Sequence, residues 1–131
     1  MPAADHFAFQ VSDMESAIRF YTDKLGLKLL SSEVDEPHHE AFAFLEVEGG
    51  NLELLQVLDE NNAPVSRVAP EPAPPYCPHL ALATDDMDAC LENLRRQEIP
   101  ILKGPLEIPG EIRWVYATDP DNNVLEFIQW L

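Results

Sequence analysis

The amino-acid sequence contains the same pattern twice, and this repeat constrains the fold more than any other feature. Residues 6–14, HFAFQVSDM, align with residues 79–87, HLALATDDM, and share His, Ala, Asp and Met at matching positions. Residues 52–56, LELLQ, align with residues 125–129, LEFIQ, at the same offset of 73 positions (79 − 6 and 125 − 52). Because the two matches lie at opposite ends of their halves and need no gap, we interpret the chain as two copies of one module.

The two modules are predicted at residues 1–60 and 77–131, with a Pro-rich linker at residues 61–76. Six of the 12 prolines lie between residues 59 and 78. Proline fixes φ and has no backbone N–H, so this segment cannot continue a helix or a central strand. We therefore expect an extended, exposed linker, and a length of 131 residues suits one compact domain overall.

Each module is predicted to contain a strand, a helix and three further strands, which is an α+β unit. In both modules, apolar residues at helical spacing follow an aspartate that can serve as the N-cap. Gly26 is expected to end the first helix in the left-handed conformation. The predicted strands are residues 6–11, 27–34, 41–47 and 51–58, then a strand that begins at residue 79, and residues 99–103, 113–118 and 124–131.

The composition argues against several classes of protein. The 24 acidic residues outnumber the 8 basic ones and give a formal net charge of −16, whereas nucleic acids and anionic membranes are bound by clustered Lys and Arg. No apolar run approaches the roughly 20 residues of a membrane span, and the N-terminal residues do not resemble a signal peptide. Since Cys77 and Cys90 form no C-x-x-C motif, we expect a cytoplasmic protein with reduced, buried thiols.

Two histidines and two glutamates occupy equivalent positions in the modules. Glu53 and Glu126 lie among apolar neighbours in predicted strands, where a carboxylate must be paired, protonated or bound to a metal. His6 and His79 open the first strand of each module, beside small residues that leave space. Pairing of the acids with Lys or Arg, and hydrogen-bonded core histidines, are the alternatives. Pseudo-twofold packing of the modules would bring all four side chains together as a site for Zn²⁺, Ni²⁺, Co²⁺, Mn²⁺ or Fe²⁺.

An ordered set of short motifs spans nearly the whole chain: His6 with Asp13, Phe20-Tyr21, Leu25-Gly26-Leu27, Leu52-Glu53-Leu54, His79 with Asp86, and Asp119-Pro120-Asp121 before Leu125-Glu126-Phe127. This set resembles the vicinal oxygen chelate superfamily, which includes glyoxalase I, methylmalonyl-CoA epimerase, extradiol dioxygenases and the fosfomycin- and bleomycin-resistance proteins. The resemblance implies two βαβββ modules that form an open, cupped mixed sheet around a metal, usually in a homodimer.

The resemblance also implies a function. Glyoxalase I-like and epimerase-like members ligate one divalent metal ion, here Zn, Ni, Co or Mn, through the positions of His6, Glu53, His79 and Glu126. The predicted activity is therefore that of an isomerase, epimerase or lyase that moves a proton next to a chelated carbonyl of a small oxygenated substrate. Glu126 is the favoured base, with Glu53 as the second candidate. An Fe(II) extradiol-type dioxygenase and a non-enzymatic drug-binding protein are the alternatives.

Other polar residues have weaker predicted roles. Arg113 is the best candidate to bind an anionic group of the substrate, and a surface salt bridge is the alternative. Residues 38–40, His-His-Glu, are interpreted as a solvated turn, with the rim of the pocket as the alternative. Gln56 and Gln129 are interpreted as structural because they face away from the two acids. Four aromatic residues are expected to line the site or fill the core: Phe42, Phe44, Trp114 and Tyr116.

Overall fold

The computed structural model describes residues 1–131. The chain forms two compact units, Met1–Ala69 and Pro70–Leu131, and the boundary between them falls within the Pro-rich segment. Both units have the same order of elements, one strand followed by one helix and three strands. The predicted α+β class with two βαβββ modules is confirmed.

The first unit contains β1 (His6–Gln10), α1 (Met14–Arg19), β2 (Lys28–Asp35), β3 (Glu40–Glu46) and β4 (Asn51–Val57). Its strands form one mixed sheet in the order β1-β4-β3-β2, in which β1 is parallel to β4 and the other pairs are antiparallel. The Asp13 carboxylate caps α1 by accepting a hydrogen bond from the backbone N–H of Ser16. The helix continues as a π-helical turn at Phe20–Lys24, and Gly26 follows with φ +75°, as predicted.

The second unit contains β5 (His79–Ala83), α2 (Met87–Arg96), β6 (Ile101–Ile108), β7 (Ile112–Thr118) and β8 (Val124–Trp130). Its sheet has the equivalent order, β5-β8-β7-β6, with β5 parallel to β8. Asp86 caps α2 by accepting from the Ala89 N–H. At ten residues α2 is the longer helix, and neither helix has the length and apolar character needed to cross a membrane.

Each sheet has one buried face and one partly exposed face. In β4, Leu52, Leu54 and Gln56 are buried, and the residues between them, including Glu53, are partly exposed. The buried face packs with α1, whose Ala17 is also buried. The same alternation in β8 places Glu126 on the partly exposed face of the second sheet. Both glutamates therefore lie on the sheet face that is turned away from the helix of their unit.

Strand β6 differs from the sequence prediction, because it extends to Ile108 instead of ending at Lys103. Gly104 and Pro105 directly follow the predicted end of the strand, and both residue types weaken a strand ladder. In the structure, a shift in register against β7 between Lys103 and Leu106 accommodates both residues within the edge strand. Gly104 adopts φ +110°, which a residue with a Cβ rarely does.

Replacing Gly104 with Ala is expected to destabilise the second unit. A Cβ at this position would lie 3.0 Å from the Trp114 carbonyl oxygen, and the backbone conformation is itself strained for alanine. We expect the free energy of unfolding, measured in urea, to fall by about 2 kcal/mol. Gly110→Ala is the control, because Gly110 also has positive φ but has nothing within 4 Å of the added carbon. Equal losses in the two variants would contradict the steric explanation.

Candidate metal centre

His6 and Glu53 form the first of two equivalent pairs. The parallel pairing of β1 with β4 brings His6 Nε2 to 3.4 Å from Glu53 Oε1. The glutamate side chain is only 14% exposed and the histidine 39%. On the other side of the imidazole, Nδ1 lies 2.6 Å from the Asp5 carboxylate. The edge of the Phe44 ring packs against His6, with 5.4 Å between the ring centroids.

His79 and Glu126 form the second pair, in the second unit. His79 Nε2 lies 3.4 Å from Glu126 Oε2, and the side chains are 21% and 12% exposed. His79 Nδ1 lies 2.8 Å from the backbone carbonyl oxygen of Tyr76. The Tyr116 ring lies edge-on to the imidazole, with 5.6 Å between centroids, so Tyr116 corresponds to Phe44 of the first unit but adds a hydroxyl. Phe44 and Tyr116 each pack against the histidine of their unit, and their role as lining of a functional site stays a prediction.

The hydrogen bonds of His79 determine which of its nitrogens carries a proton. A carbonyl oxygen only accepts, so Nδ1 must donate to Tyr76. In the neutral imidazole Nε2 is then an acceptor, and it faces the acceptor oxygens of Glu126. Such an arrangement needs a proton or a cation between the two groups. His6 is oriented in the same way by Asp5, and a partner on Nδ1 with Nε2 left for the ion is the usual arrangement of metal-binding histidines.

The 3.4 Å separations fit a shared cation better than a direct hydrogen bond. Two side-chain atoms that would each bind one ion at about 2.1 Å lie between about 3 and 4 Å apart, and both pairs fall within that range. The side chains are imidazoles and carboxylates, which suit Zn²⁺, Co²⁺, Ni²⁺ and Mn²⁺. The residues in each unit therefore fit a divalent ion both in their chemistry and in their spacing.

Charge and burial shift the pKa of two groups beside the pairs. The hydrogen bond to Asp5 is the main reason that the pKa of His6 lies above its usual value; partial burial opposes the rise, and the charge of Glu53 adds to it. Burial, with the nearby negative charge of Glu126, raises the pKa of Tyr116. Tyr116 therefore keeps its hydroxyl proton at neutral pH and can donate a hydrogen bond.

Each unit brings together the histidine and the glutamate that the repeat indicates. The ion pair that each glutamate forms is with that histidine. Within either unit, no third His, Cys, Asp or Glu side chain joins the pair as a metal site. The joint use of all four residues for one ion stays a prediction.

The other predicted polar residues are engaged elsewhere. Arg113 forms a salt bridge of 3.1 Å with Asp88, which was the alternative to a substrate-binding role; its role toward a substrate stays a prediction. Residues 36–39 form a turn, as interpreted for His38 and His39, whereas Glu40 is the first residue of β3. In that turn the His38 imidazole pairs with the Asp35 carboxylate, and His39 contacts the side chain of Asn62.

The partners of the histidine Nδ1 atoms were not predicted from the sequence. Asp5 could have been noticed, because it directly precedes His6. The partner of His79 is a backbone carbonyl oxygen, that of Tyr76, in a turn with φ +62° at this residue. No pattern of side chains in the sequence could have identified it.

Residues 3–127 match the Glyoxalase/Bleomycin resistance protein/Dioxygenase superfamily. The chain belongs to this superfamily. The resemblance drawn from the motifs is thereby confirmed, and the two βαβββ units are the modules of the glyoxalase-like fold.

Three similar proteins indicate the range of activities in the superfamily. A lactoylglutathione lyase of Haemophilus influenzae is 29% identical over 126 residues, which cover 95% of this chain and 90% of that protein. The metallothiol transferase FosB of Staphylococcus epidermidis is 30% identical over 127 residues, covering 95% and 79%. The structure of TnmS3, an antibiotic-binding protein from Streptomyces sp. CB03234, is 25% identical, with a TM-score of 0.74 and coverage of 100% and 98%. Membership of the superfamily therefore does not decide whether this protein is an enzyme or binds a small molecule without converting it.

The two cysteines of this superfamily member should differ in reactivity. Both are free, but Cys77 is exposed, so the expectation of two buried thiols is wrong for this residue. Cys77 lies between Pro75 and Pro78, outside any helix or strand. Burial raises the pKa of the Cys90 thiol. We expect Cys77 to react with Ellman's reagent at pH 7.5 about tenfold faster than Cys90, or more. The reaction should then show a fast and a slow phase, and the variants Cys77→Ser and Cys90→Ser assign each phase to one thiol. A fast phase that survives in Cys77→Ser would contradict the expected difference in reactivity.

Proposed function

We propose that the protein is a divalent-metal-dependent isomerase, epimerase or lyase that transfers a proton next to a carbonyl of a small oxygenated substrate. In this proposal His6, Glu53, His79 and Glu126 together hold one ion. The observation that carries the proposal is that, in both units, a partner on Nδ1 turns His Nε2 toward a largely buried glutamate. The lactoylglutathione lyase and FosB relatives support metal-dependent chemistry.

A divalent ion bound by these side chains supplies a Lewis acid that polarises the substrate carbonyl and makes the adjacent C–H more acidic. Glu126 accepts that proton and returns it to the same or the neighbouring carbon. Tyr116, directly across the strand pair from Glu126, can donate a hydrogen bond to a substrate oxygen. The equivalent residue beside Glu53 is Phe44, which has no such donor, and this difference supports Glu126 as the base.

The test begins with the metal content of untagged protein, measured by elemental mass spectrometry before and after reconstitution. We expect about one Zn, Ni, Co or Mn ion per chain. The chemistry is then tested with dihydroxyacetone, the smallest symmetrical hydroxyketone, by following deuterium incorporation from D₂O with NMR. Exchange that requires the metal supports the proposal. Protein that binds no metal after reconstitution would refute it.

A second candidate function is metal-independent binding of a drug-like molecule. The similarity to the antibiotic-binding protein TnmS3 favours it. It predicts that bleomycin, used as the probe, binds tightly with or without EDTA, and that no deuterium exchange occurs. Iron in the purified protein, with oxygen consumption in the presence of catechol, would instead indicate the dioxygenase alternative.

The number of chains in the active protein is proposed separately. As in many members of the superfamily, we propose that the active form is a homodimer. Sedimentation equilibrium of the metal-loaded protein measures the mass directly, and a monomer of 14.7 kDa at micromolar concentration would contradict this expectation.

A further inference from the structure

Each unit contains a glutamine side chain that links the two strands carrying the histidine and the glutamate. Gln56 follows Glu53 on β4; its Oε1 accepts from the Met14 N–H at 3.0 Å, and its Nε2 donates to the Ser12 carbonyl at 3.0 Å. Both of these partners lie just after β1. The glutamine thus ties the chain that leaves the histidine strand to the glutamate strand.

The second unit has the same link. Gln129 on β8 accepts from the Met87 N–H at 3.0 Å and donates to the Asp85 carbonyl at 2.8 Å. The interpretation of both glutamines as structural is confirmed by these bonds. Their repetition at equivalent places suggests a task that both units share.

The alignment of β1 with β4 determines whether His6 and Glu53 are in contact. His6 is aligned with Asn51, and Ala8 is aligned with Glu53, so the contact between His6 and Glu53 is diagonal. A slip of β1 along β4 by two residues would keep every side chain on its face. It would move the histidine by about 6.6 Å relative to the glutamate, which would destroy the pair.

The apolar residues do little to prevent such a slip. On the helix-facing side β1 presents Phe7 and Phe9, and β4 presents Leu52 and Leu54. A slip by two residues in one direction would set Phe9 where Phe7 had been and the buried Val11 where Phe9 had been, so apolar side chains would still face the leucines. The backbone ladder repeats with the same period. Hydrophobic matching therefore discriminates only weakly against a slip in this direction, and a directional contact is needed to select the register.

We propose that Gln56 and Gln129 are positioning residues that select this register and thereby set the distance between each histidine and its glutamate. Gln56 is 7% exposed, so its amide must keep its hydrogen bonds, and both bonds are lost if β1 slips. The link to metal binding rests on the proposed function, whereas the link to the register does not.

The test uses Gln56→Met and Gln129→Met, which keep the approximate shape of the side chain but remove both hydrogen bonds. Asp13→Ala is the control, because it removes a different hydrogen bond at the start of the same helix and has no link to β4. We expect Gln56→Met to weaken Co²⁺ binding by about 10-fold or more and to change the visible spectrum of bound Co²⁺. Gln56→Glu, which retains the acceptor for Met14, should restore part of the affinity.

The register is also measured without metal, by hydrogen exchange of the Val11 and Thr84 amides. These donate to Leu55 and Ile128, each at 2.8 Å, at the ends of the two parallel strand pairs. We expect Val11 to exchange faster in Gln56→Met than in Asp13→Ala. If exchange and Co²⁺ affinity are the same in the two variants, the proposal is overturned. If the wild-type protein binds no Co²⁺, the proposed function fails and the exchange rates alone decide about the register.

Discussion

The variants Glu53→Ala and His79→Ala are each expected to lower the affinity for Co²⁺ or Zn²⁺ by more than about 100-fold. Each removes a side chain that would contact the ion directly, and the loss of an outer partner alone costs about 10–100-fold. Isothermal titration of the metal-free protein measures the effect. A loss in both variants would indicate that each unit contributes to one binding event, since the two residues belong to different units.

The chain offers matched controls for these variants. Glu40 lies on the same face of the first sheet as Glu53, and the His38 imidazole is paired with Asp35. Glu40→Ala and His38→Ala should therefore leave metal affinity unchanged, whereas Asp5→Asn, which alters only the partner of His6, should cause an intermediate loss. If only one of the two ligand variants lost the metal, the four-residue site would be wrong.

Glu126→Gln is expected to slow deuterium exchange into dihydroxyacetone by about 10²–10⁴-fold, the usual contribution of a general base. An amide can still contact a metal through its oxygen but cannot accept the proton. The rate is followed by NMR on protein loaded with its metal, so that loss of the ion and loss of the base are separated.

Glu53→Gln is the matched control for the slower deuterium exchange of Glu126→Gln, because Glu53 holds the equivalent place in the first unit. It should lower the rate less than Glu126→Gln at equal metal occupancy. Full turnover in Glu126→Gln would remove Glu126 from the role of base, and a larger loss in Glu53→Gln would transfer that role to Glu53.

Most of the fold could be predicted because its determinants are local and occur twice. Asp13 and Asp86 cap equivalent helices, and Gly26 takes the expected left-handed conformation. The end of β6 could not be predicted, because Gly104-Pro105 suggests a break in any single strand. Only the neighbouring strand β7 shows that a shift in register accommodates the two residues.

The candidate site could be predicted at the level of residue type but not of geometry. A carboxylate among apolar residues, together with a histidine at the start of a strand, identified both pairs. The acceptor for His79 is a main-chain oxygen, which no residue pattern encodes. Arg113 is the best sequence candidate for binding an anionic group because it precedes a central strand of the second module, yet its partner, Asp88, lies on α2 and is brought near only by folding.

The order of strands in each sheet has a consequence for the synthesis of the protein. In both units the first and the last strand lie side by side, so the helix and two strands must be made before His6 can meet Glu53, or His79 can meet Glu126. Contacts between residues so far apart in the chain form late and slowly. An ion that needs both residues of a pair would therefore stabilise the protein by mass action only after the last strand of each unit has been made.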